Sequence, residues 1–345
     1  MKAAVLTGIR KIEIHDVPDP EIRAEKDVLL RVGATGLCGS DIHYYKEGRI
    51  GDQVVRFPFT VGHECAGTVA EIGPAVSRLK PGDRVAVDPA VVCGRCDQCL
   101  NGRPNTCRRL MFLGTPGQVA GCLSEFIVMP EQNCHLLGDE MTFAEGILVE
   151  PLSIALHGLK GLNALVPEKM AIQGAGPIGL SVLLAALSAG AERVYMTDKI
   201  DSRLDAAGTA GAAWTGNPDR KDIKAEVLSR EPAGLDAVFE CCGDPAALDQ
   251  AVDLLKPGGS LLIIGIPAEE RVSFDIHKLR RKEIAIHNVR RQRYCFPEAI
   301  ELIKRKTVDV RFMATHTFDL AEAPRAFELA ADYRDGVIKA VILNA

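Results

Sequence analysis

The sequence predicts an α/β protein in which a doubly wound parallel sheet is inserted, along the chain, between two halves of a β-rich part. Two observations predict this fold class. From Met1 to about Ser153, short β-branched runs are punctuated by Gly and Pro, as in Lys80–Asp83, which is typical of a partly closed β-barrel. From about Lys169 the pattern changes to apolar strand, helix, strand, which indicates right-handed crossovers and a parallel sheet.

The expected elements follow the chain in that order. In the first part we expect strands at 28–32, 67–72, 84–87 and 124–128. In the second we expect strands at 170–173, 193–197, 237–240, 260–265 and 283–286, and helices at 178–189, 202–210, 221–229 and 246–255, the last ended by Lys256–Gly259. A tail with helices at 297–305 and 321–332 and a strand at 340–343 is expected to return to the first part. The predicted domains are therefore 1–153 with 289–345, and 154–288, with a ligand cleft between them.

Composition narrows the class of partner. The 345 residues are 47% hydrophobic and 25% charged, with 41 basic against 46 acidic side chains and a net charge of -5. No global positive field is available for nucleic acid, so a small-molecule ligand is expected. The longest apolar run, near 178–189, is shorter than the roughly 20 residues that cross a membrane. The N-terminus predicts a strand rather than a signal peptide, and the eleven cysteines suit reduced thiols, so a cytoplasmic location is expected.

A glycine-rich turn predicts a dinucleotide site. Gly174-Ala175-Gly176-Pro177-Ile178-Gly179 follows a predicted strand and opens a predicted helix, and Asp198 ends the next strand. The first glycine allows the tight turn, the second lets the backbone approach a pyrophosphate, and the third allows close helix packing. The Asp198 carboxylate suits ribose hydroxyls and repels a 2'-phosphate, so NAD is favoured; Arg203, which could hold a 2'-phosphate, keeps NADP as a minor alternative.

Four cysteines predict a structural zinc site. Cys93, Cys96, Cys99 and Cys107 are spaced C-x2-C-x2-C-x7-C, and four thiolates complete a tetrahedral zinc without an open position. A nucleic-acid zinc knuckle is the alternative, because arginines lie nearby, but the acidic balance of the chain counts against it.

A second group predicts a catalytic zinc. Cys38-Gly-Ser40-Asp-Ile-His43 precedes Gly62-His63-Glu64 by about one strand-loop-strand length. Cysteine, histidine and an acid are the mixed ligand set of catalytic zinc sites, which keep one position for water or substrate.

These motifs together resemble the zinc-containing medium-chain dehydrogenases over essentially the whole chain. Within that superfamily, the segments 38–51 and 149–157 resemble the sorbitol (polyol) dehydrogenase branch. The resemblance implies a GroES-like catalytic domain, a Rossmann domain that binds NAD, and hydride transfer from a secondary hydroxyl of a polyol such as sorbitol or xylitol. It also implies a homotetramer, or a dimer, in which strands of the cofactor domain pair across subunits.

The resemblance further assigns roles to single residues. Cys38 and His63 would hold the catalytic zinc, with Glu64 a ligand either directly or through a water, and Ser40 and His43 would relay the proton. Glu150 would contact the zinc water or a substrate hydroxyl. The remaining implied contacts are Tyr44, Phe112, Thr115 and Arg291 for the substrate, and Ile178, Asp198 and Arg203 for the cofactor. An ungapped alignment puts the substrate arginine at Arg291 and Gln292 where the family has tyrosine, whereas Arg293-Tyr294 preserves the letters.

Two alternative functions stay open from sequence. A threonine-type or simple secondary-alcohol dehydrogenase would share both zinc motifs and the cofactor unit, and the segment 43–51 argues against it. A catalytically silent zinc- and nucleotide-binding protein would show the loss of a zinc ligand, and no ligand of either cluster is lost.

Overall fold

The computed structural model describes residues 1–162 and 166–344, which form two compact units. One unit comprises Met1–Glu150, Phe296–Lys306 and Val310–Ala345, and the other comprises Pro151–Cys295 and Thr307–Asp309. We call them the outer unit and the central unit. The predicted domain boundaries near 153 and 289 lie close to these limits and stay a prediction.

The elements run along the chain as follows. Before the central unit come β1 (Lys2–Gly8), β2 (Lys11–Asp16), β3 (Asp27–Gly36), α1 (Gly39–Glu47), β4 (Arg49–Ile50), β5 (Gln53–Val54), β6 (Glu64–Ile72), β7 (Arg84–Val87), β8 (Ala90–Val91), α2 (Asp97–Leu100), β9 (Met111–Phe112), β10 (Phe126–Pro130), β11 (Cys134–Leu136) and α3 (Phe143–Ile147). Then come α4 (Val149–Lys160), β12 (Lys169–Gln173), α5 (Pro177–Ser188), β13 (Arg193–Thr197), α6 (Asp201–Thr209), β14 (Trp214–Gly216), α7 (Ile223–Arg230), β15 (Leu235–Glu240), α8 (Pro245–Leu254), β16 (Leu255–Ile263), α9 (Ile276–Lys282) and β17 (Ala285–Asn288). The chain closes with α10 (Phe296–Lys304), β18 (Ala314–Asp319), α11 (Ala323–Ala331) and β19 (Lys339–Leu343). None of the described helices is long and apolar enough to cross a membrane.

The outer unit is built on a mixed sheet that joins both ends of the chain. Its strand order is β11-β7-β6-β3-β19-β18, with β10 also paired to β3. The C-terminal strand β19 lies antiparallel to β3, and Val341 is opposite Gly36. Against this sheet pack Leu6, Tyr45 and Phe327, which are all fully or almost fully buried. A strand of the C-terminal tail thus pairs with a strand of the first part of the chain.

The central unit is the predicted doubly wound sheet. Its strands run in the order β14-β13-β12-β15-β16-β17, and every neighbouring pair is parallel. Its apolar cluster contains Ala171, Val238 and Leu261 on neighbouring strands, covered by Leu248 and Ala251 of α8. The sheet places the carboxyl ends of β12 and β13, where the glycine-rich turn and Asp198 follow, at one edge.

Two local predictions differ from the structure, and two helices at the candidate site were not predicted. Lys256–Gly259, expected to end a helix, lies inside β16, where the register shifts next to β15. Glu283, expected in a strand, is the left-handed C-cap of α9 at φ 52°. The helices α1 and α4, which lie within the segments 38–51 and 149–160, were not among the predicted helices.

Candidate active site and metal-binding clusters

The side chains of the first candidate site lie at the termini of three neighbouring strands of the outer sheet. Cys38 follows the end of β3, Glu64 begins β6, and Lys339 begins β19. Gly36 of β3 pairs with Glu64 on one side, and a β-carbon at Gly36 would collide with the Glu64 carboxylate. The sheet register thus brings together side chains from three distant parts of the chain.

The donor atoms of Cys38, His63 and Glu64 lie within 4.8 Å of one another. A thiolate, an imidazole and a carboxylate at this spacing suit zinc, which takes sulfur, nitrogen and oxygen ligands at about 2.0–2.3 Å. His63 and Glu64 are buried and Cys38 is half-buried, so the set can hold a cation and leave a fourth position facing a ligand. The residues present therefore fit a catalytic zinc.

The buried carboxylate of Asp41 organises this set. It accepts hydrogen bonds from the backbone N–H groups of Cys38 and Gly62, each at 3.0 Å. Its Oδ1 also lies 3.6 Å from Nδ1 of His63, which leaves Nε2 for a metal and matches the carboxylate–histidine arrangement of zinc sites. Burial lowers the pKa of His63, but Asp41 and Cys38 outweigh it and raise the pKa well above its usual value. The same negative field favours a bound cation.

Lys339 neutralises Glu64 inside the protein. Its Nζ lies 2.6 Å from each Glu64 carboxylate oxygen and donates to the Leu37 carbonyl at 3.0 Å. Both side chains are 1% exposed. Burial lowers the pKa of Lys339 and the Glu64 carboxylate raises it, with a net increase. Because an ionised carboxylate has about four acceptor positions, Glu64 can bind Lys339 and still face a metal.

Glu150 adds a carboxyl group to the same unit. It lies in the first turn of α4 and is buried. Burial raises its pKa to about 7, with His63 lowering it and Glu64 raising it. A carboxyl group that titrates near neutral pH can donate or accept a hydrogen bond to a substrate hydroxyl.

The loop that carries Phe112 and Thr115 lies directly against the His63 segment. A β-carbon at Gly114, which has a φ of 72°, would lie 2.5 Å from the Gly62 carbonyl oxygen, so only glycine allows the two backbones to approach so closely. The centres of the Phe112 and His63 rings lie 5.4 Å apart. Thr115, on the same loop as Phe112, is also buried. Phe112 thus packs against His63, a candidate zinc ligand. The expected contact of Thr115 with a substrate stays a prediction.

Helix α1 presents the proposed relay residues. Cys38 is its N-cap, and Ser40 and His43 lie one turn apart on the half-buried side of the helix. Nδ1 of His43 lies 3.6 Å from a Glu47 carboxylate oxygen. Tyr44 is buried, and its phenol oxygen donates to Oε1 of Gln53 at 3.0 Å.

The four-cysteine cluster forms within a single loop and its short helix α2. All four sulfurs lie within 4.8 Å of one another, and three pairs are separated by 3.5, 3.6 and 3.8 Å. Tetrahedral zinc with Zn–S distances of about 2.3 Å requires sulfurs about 3.8 Å apart, whereas a disulfide requires about 2.05 Å. The spacing therefore fits zinc.

The thiols of this cluster differ in acidity. Backbone N–H groups of Cys99 and Arg108 lower the pKa of Cys96 to about 6, while burial and the adjacent sulfurs raise the pKa of Cys99 to about 12. Four thiols this close can all ionise only if a cation sits among them. With four sulfur ligands the cluster has no open position for a substrate.

The glycine-rich turn of the central unit has the geometry of a phosphate-binding loop. Gly174 has a φ of 98°, and a β-carbon at Gly179 would collide with the Gly174 carbonyl. Gly176 is the N-cap of α5, and Pro177 is its first residue. The backbone N–H groups of Ile178 and Gly179 can therefore meet an anion at the start of this helix.

Asp198 connects this turn to the next strand. Its carboxylate accepts from the Ala175 N–H at 2.6 Å and from the Ile200 N–H at 2.8 Å, which leaves acceptor positions for ribose hydroxyls. Arg203 lies on α6 and is 9% exposed, and its Nη1 would lie 3.6 Å from a β-carbon added at Gly176. Asp198 and Arg203 thus both lie next to the glycine-rich turn.

The segment proposed to supply the substrate arginine is irregular. Arg291 and Tyr294 adopt φ values of 54° and 56°, which are uncommon for residues other than glycine. Buried Gln292 accepts a hydrogen bond from the Cys295 N–H at 2.9 Å. Gln292 therefore holds the loop, and the choice between Arg291 and Arg293 stays a prediction.

Asp41 and Lys339 were not predicted as site residues. Asp41 lies inside the quoted Cys38 motif, and its carboxylate at the third position of a helix was a usable signal. Lys339 gave no signal, because a single lysine in a C-terminal strand has no visible partner.

Comparisons with known proteins agree with this geometry. Residues 24–139 match the family model described as alcohol dehydrogenase GroES-like domain, and residues 177–305 match zinc-binding dehydrogenase. Sorbitol dehydrogenase of Bacillus subtilis (strain 168) is 37% identical over 343 residues, 99% of this chain and 97% of that protein. L-arabinitol 4-dehydrogenase of Aspergillus niger is 36% identical over 341 residues, 92% of this chain and 86% of that protein. The crystal structure of an oxidoreductase of unknown specificity from Escherichia coli has a TM-score of 0.93 at 33% identity and covers 100% of this chain and 99% of that one.

The role of Asp41 is tested by Asp41→Asn. The amide keeps the size of the side chain but loses the charge and one of the acceptor oxygens, so we expect zinc affinity at the Cys38 site to fall about 10- to 100-fold. Competition with a chromophoric chelator measures the release of each zinc. The four-cysteine site is the internal control and should release zinc as in the wild type. Equal loss from both sites, or from neither, would contradict the assigned role.

The buried ion pair is tested by Lys339→Met. Removal of the ammonium leaves the Glu64 carboxylate buried without a counter-charge, so the metal-free protein should lose about 3–5 kcal/mol of unfolding free energy. Added zinc should restore part of the loss, because a cation again faces Glu64. Urea unfolding of chelator-treated and zinc-loaded protein measures both effects. Lys2→Met, which removes an exposed ion pair with Asp16, is the matched control and should leave the midpoint unchanged; a stable Lys339→Met protein would show that Glu64 needs no counter-charge.

Proposed function

The chain belongs to the zinc-binding dehydrogenases with an alcohol dehydrogenase GroES-like domain, and from that premise we propose that it oxidises a secondary hydroxyl of a polyol with NAD. The product would be the corresponding ketose. The observation that carries the proposal is the set of zinc donor atoms of Cys38, His63 and Glu64. Asp41 and Lys339 hold this set in place. Two relatives of 37% and 36% identity are named as dehydrogenases of sorbitol and L-arabinitol. Membership in the family confirms the predicted fold class and enzyme class.

The residues divide the chemistry between them. Cys38, His63 and Glu64 would hold a zinc ion and the glycine-rich turn would hold NAD; when bound, these groups supply Lewis-acid activation of a hydroxyl and a hydride acceptor. Ser40 would accept the hydroxyl proton, and His43, one turn further along α1, would pass it on. The chain itself therefore provides orientation, charge and a proton path.

Substrate and cofactor preference are assigned to other side chains. Glu150, Tyr44, Phe112, Thr115 and Arg291 would line the polyol site, and a site built to bond several hydroxyls rejects ligands that leave its polar groups unpaired. Asp198 favours NAD over NADP, because its free acceptor positions suit ribose hydroxyls and its charge repels a 2'-phosphate. The four-cysteine loop would hold a structural zinc. A threonine-type or secondary-alcohol dehydrogenase is the alternative.

The proposal also covers the oligomeric state of the protein and its location in the cell. Strand β17 is the last in the order of the central sheet and is mostly exposed, and an unpaired edge strand is open to pairing with a second chain. We therefore propose a homotetramer in which this edge pairs between subunits. None of the described cysteines forms a disulfide, which supports the proposal of a reducing, cytoplasmic environment.

The proposed activity is tested with a substrate panel. NADH formation from NAD should occur with one or more of sorbitol, xylitol, ribitol and galactitol, be much slower with L-threonine and 2-butanol, and disappear after zinc chelation. NADP in place of NAD should give less activity. Turnover of threonine or 2-butanol alone would make the alternative correct.

The proposed assembly is tested by light scattering after gel filtration. The wild type should elute with four times the chain mass of 37.2 kDa. Ile286→Lys adds a charge to β17, where that side chain is 36% exposed, and should give smaller species. Leu136→Lys, on the exposed edge strand β11 of the outer sheet, should keep the wild-type mass. A monomeric wild type would refute the proposal.

A further inference from the structure

Two loops border the glycine-rich turn of the central unit. The loop after β13 reaches the turn through Asp198, whose carboxylate accepts from the Ala175 N–H at 2.6 Å. The loop after β15 lies against the turn as well, since a β-carbon at Gly174 would lie 3.1 Å from the carbonyl carbon of Cys241 and from the β-carbon of Cys242. Strand β12, which the turn follows, lies between β13 and β15 in the sheet. Residues of these two loops therefore border whatever the turn binds.

An ion pair joins the two loops. Lys199 directly follows Asp198, and its Nζ donates to Oδ2 of Asp244 at 3.0 Å. Asp244 is the N-cap of α8, and its Oδ1 accepts from the Ala246 N–H at 2.9 Å. The carbonyl of Lys199 accepts from the buried Asn217 amide at 3.0 Å. The backbone of Lys199 and both carboxylate oxygens of Asp244 are thus held, and the ammonium is drawn from the loop after β13 towards the loop after β15.

A second cation beside the loop after β13 is paired in the same way. Nη1 of Arg220 lies 2.7 Å from Oδ2 of Asp201. Oδ1 of Asp201 accepts from the Asn217 amide nitrogen that also donates to the carbonyl of Lys199. The Lys199 and Arg220 side chains are 58% and 69% exposed. Anions from solvent can therefore reach both cations, but each cation already faces a carboxylate.

The charge of a phosphate on the cofactor makes this pairing relevant to cofactor choice. A 2'-phosphate carries a charge of about -1.5 to -2 near neutral pH, and dinucleotide sites that accept one place a cation beside the ribose. Lys199 is next in the chain to Asp198, the acid expected to bind the ribose. Because Oδ2 of Asp244 binds the Lys199 ammonium, a 2'-phosphate would have to compete with a carboxylate for it.

We propose that Asp244 is a specificity-determining residue of the cofactor site: by pairing with Lys199, it withholds that ammonium from the 2'-phosphate of NADP. Asp244 acts through Lys199, and its effect adds to the direct repulsion of a 2'-phosphate by Asp198. The inference rests on the proposed function, because it concerns the dinucleotide site and its preference for NAD.

The test compares Asp244→Asn with the wild type by calorimetric titration with 2',5'-ADP and with 5'-AMP, which differ only in the 2'-phosphate. Asparagine caps a helix as well as aspartate does, so the variant keeps the start of α8 and loses the charge that holds Lys199. The affinity for 2',5'-ADP should rise about two- to fivefold, the range of one exposed ion pair, whereas the affinity for 5'-AMP should change by less than about twofold. An unchanged ratio of the two affinities would overturn the inference.

Two further variants separate the ion pair from a general effect of charge. Asp244→Glu keeps the negative charge and should keep the wild-type ratio of affinities. Asp253→Asn removes a carboxylate near the other end of α8, where it pairs with Lys224 and Lys278, and should also keep that ratio. If Asp253→Asn raised the affinity for 2',5'-ADP as much as Asp244→Asn does, net charge alone would explain the gain and the inference would be wrong.

A double-mutant cycle with Lys199→Met tests whether Asp244 acts through Lys199. Lys199→Met should lower the affinity for 2',5'-ADP more in the Asp244→Asn background, where the ammonium is available, than in the wild type, where it is engaged. Equal losses in both backgrounds would show that the two charges act independently and would contradict the inference, while the NAD preference stands. A wild type that binds 2',5'-ADP as tightly as 5'-AMP would instead refute the proposed NAD preference, and the inference with it.

Discussion

The candidate site depends on a lysine and a glutamate that are buried together where β6 and β19 begin and β3 ends. Neither charge of Lys339 and Glu64 is stable alone in the interior, because removing one ion from water costs several kcal/mol. Their partnership requires that β19, from the end of the chain, lie beside β3 and that β3 lie beside β6. The closure of the outer sheet by both ends of the chain therefore has an electrostatic consequence at the site: it brings the counter-charge that lets a carboxylate stay buried next to Cys38 and His63.

The same device, a carboxylate that accepts two backbone N–H groups, recurs in both units. Asp41 joins the start of α1 to Gly62, and Asp198 joins the glycine-rich turn to the residues after β13. Glu240, at the end of β15, accepts from the N–H groups of Cys242 and Gly243 at 2.7 and 2.6 Å. In each case one acidic side chain accepts from backbone N–H groups of a loop that adjoins the end of a strand. Such carboxylates keep ligand-binding loops in place without the rigidity of regular structure.

Close backbone approach is the second requirement of the site. Gly114 lies against Gly62, which precedes His63, and this contact brings the loop of Phe112 next to the metal-ligand candidate. The Tyr44 phenol hydroxyl of the same unit is also fixed, because it donates a hydrogen bond to the amide oxygen of Gln53.

The sequence by itself determined the features whose parts lie within a few residues of one another. The four-cysteine loop, the glycine-rich turn with its strand and helix, and the alternation of the central sheet all follow from local spacing and periodicity, because their geometry is set by one turn or one βαβ unit. Only the tertiary structure decided what crosses long stretches of chain. The pairing of Lys339 with Glu64 spans 275 residues, and the contact of Asp41 with His63 depends on how β3 and β6 are joined. Local patterns carry no information about such partners, since burial and strand register, which exist only in the folded chain, select them.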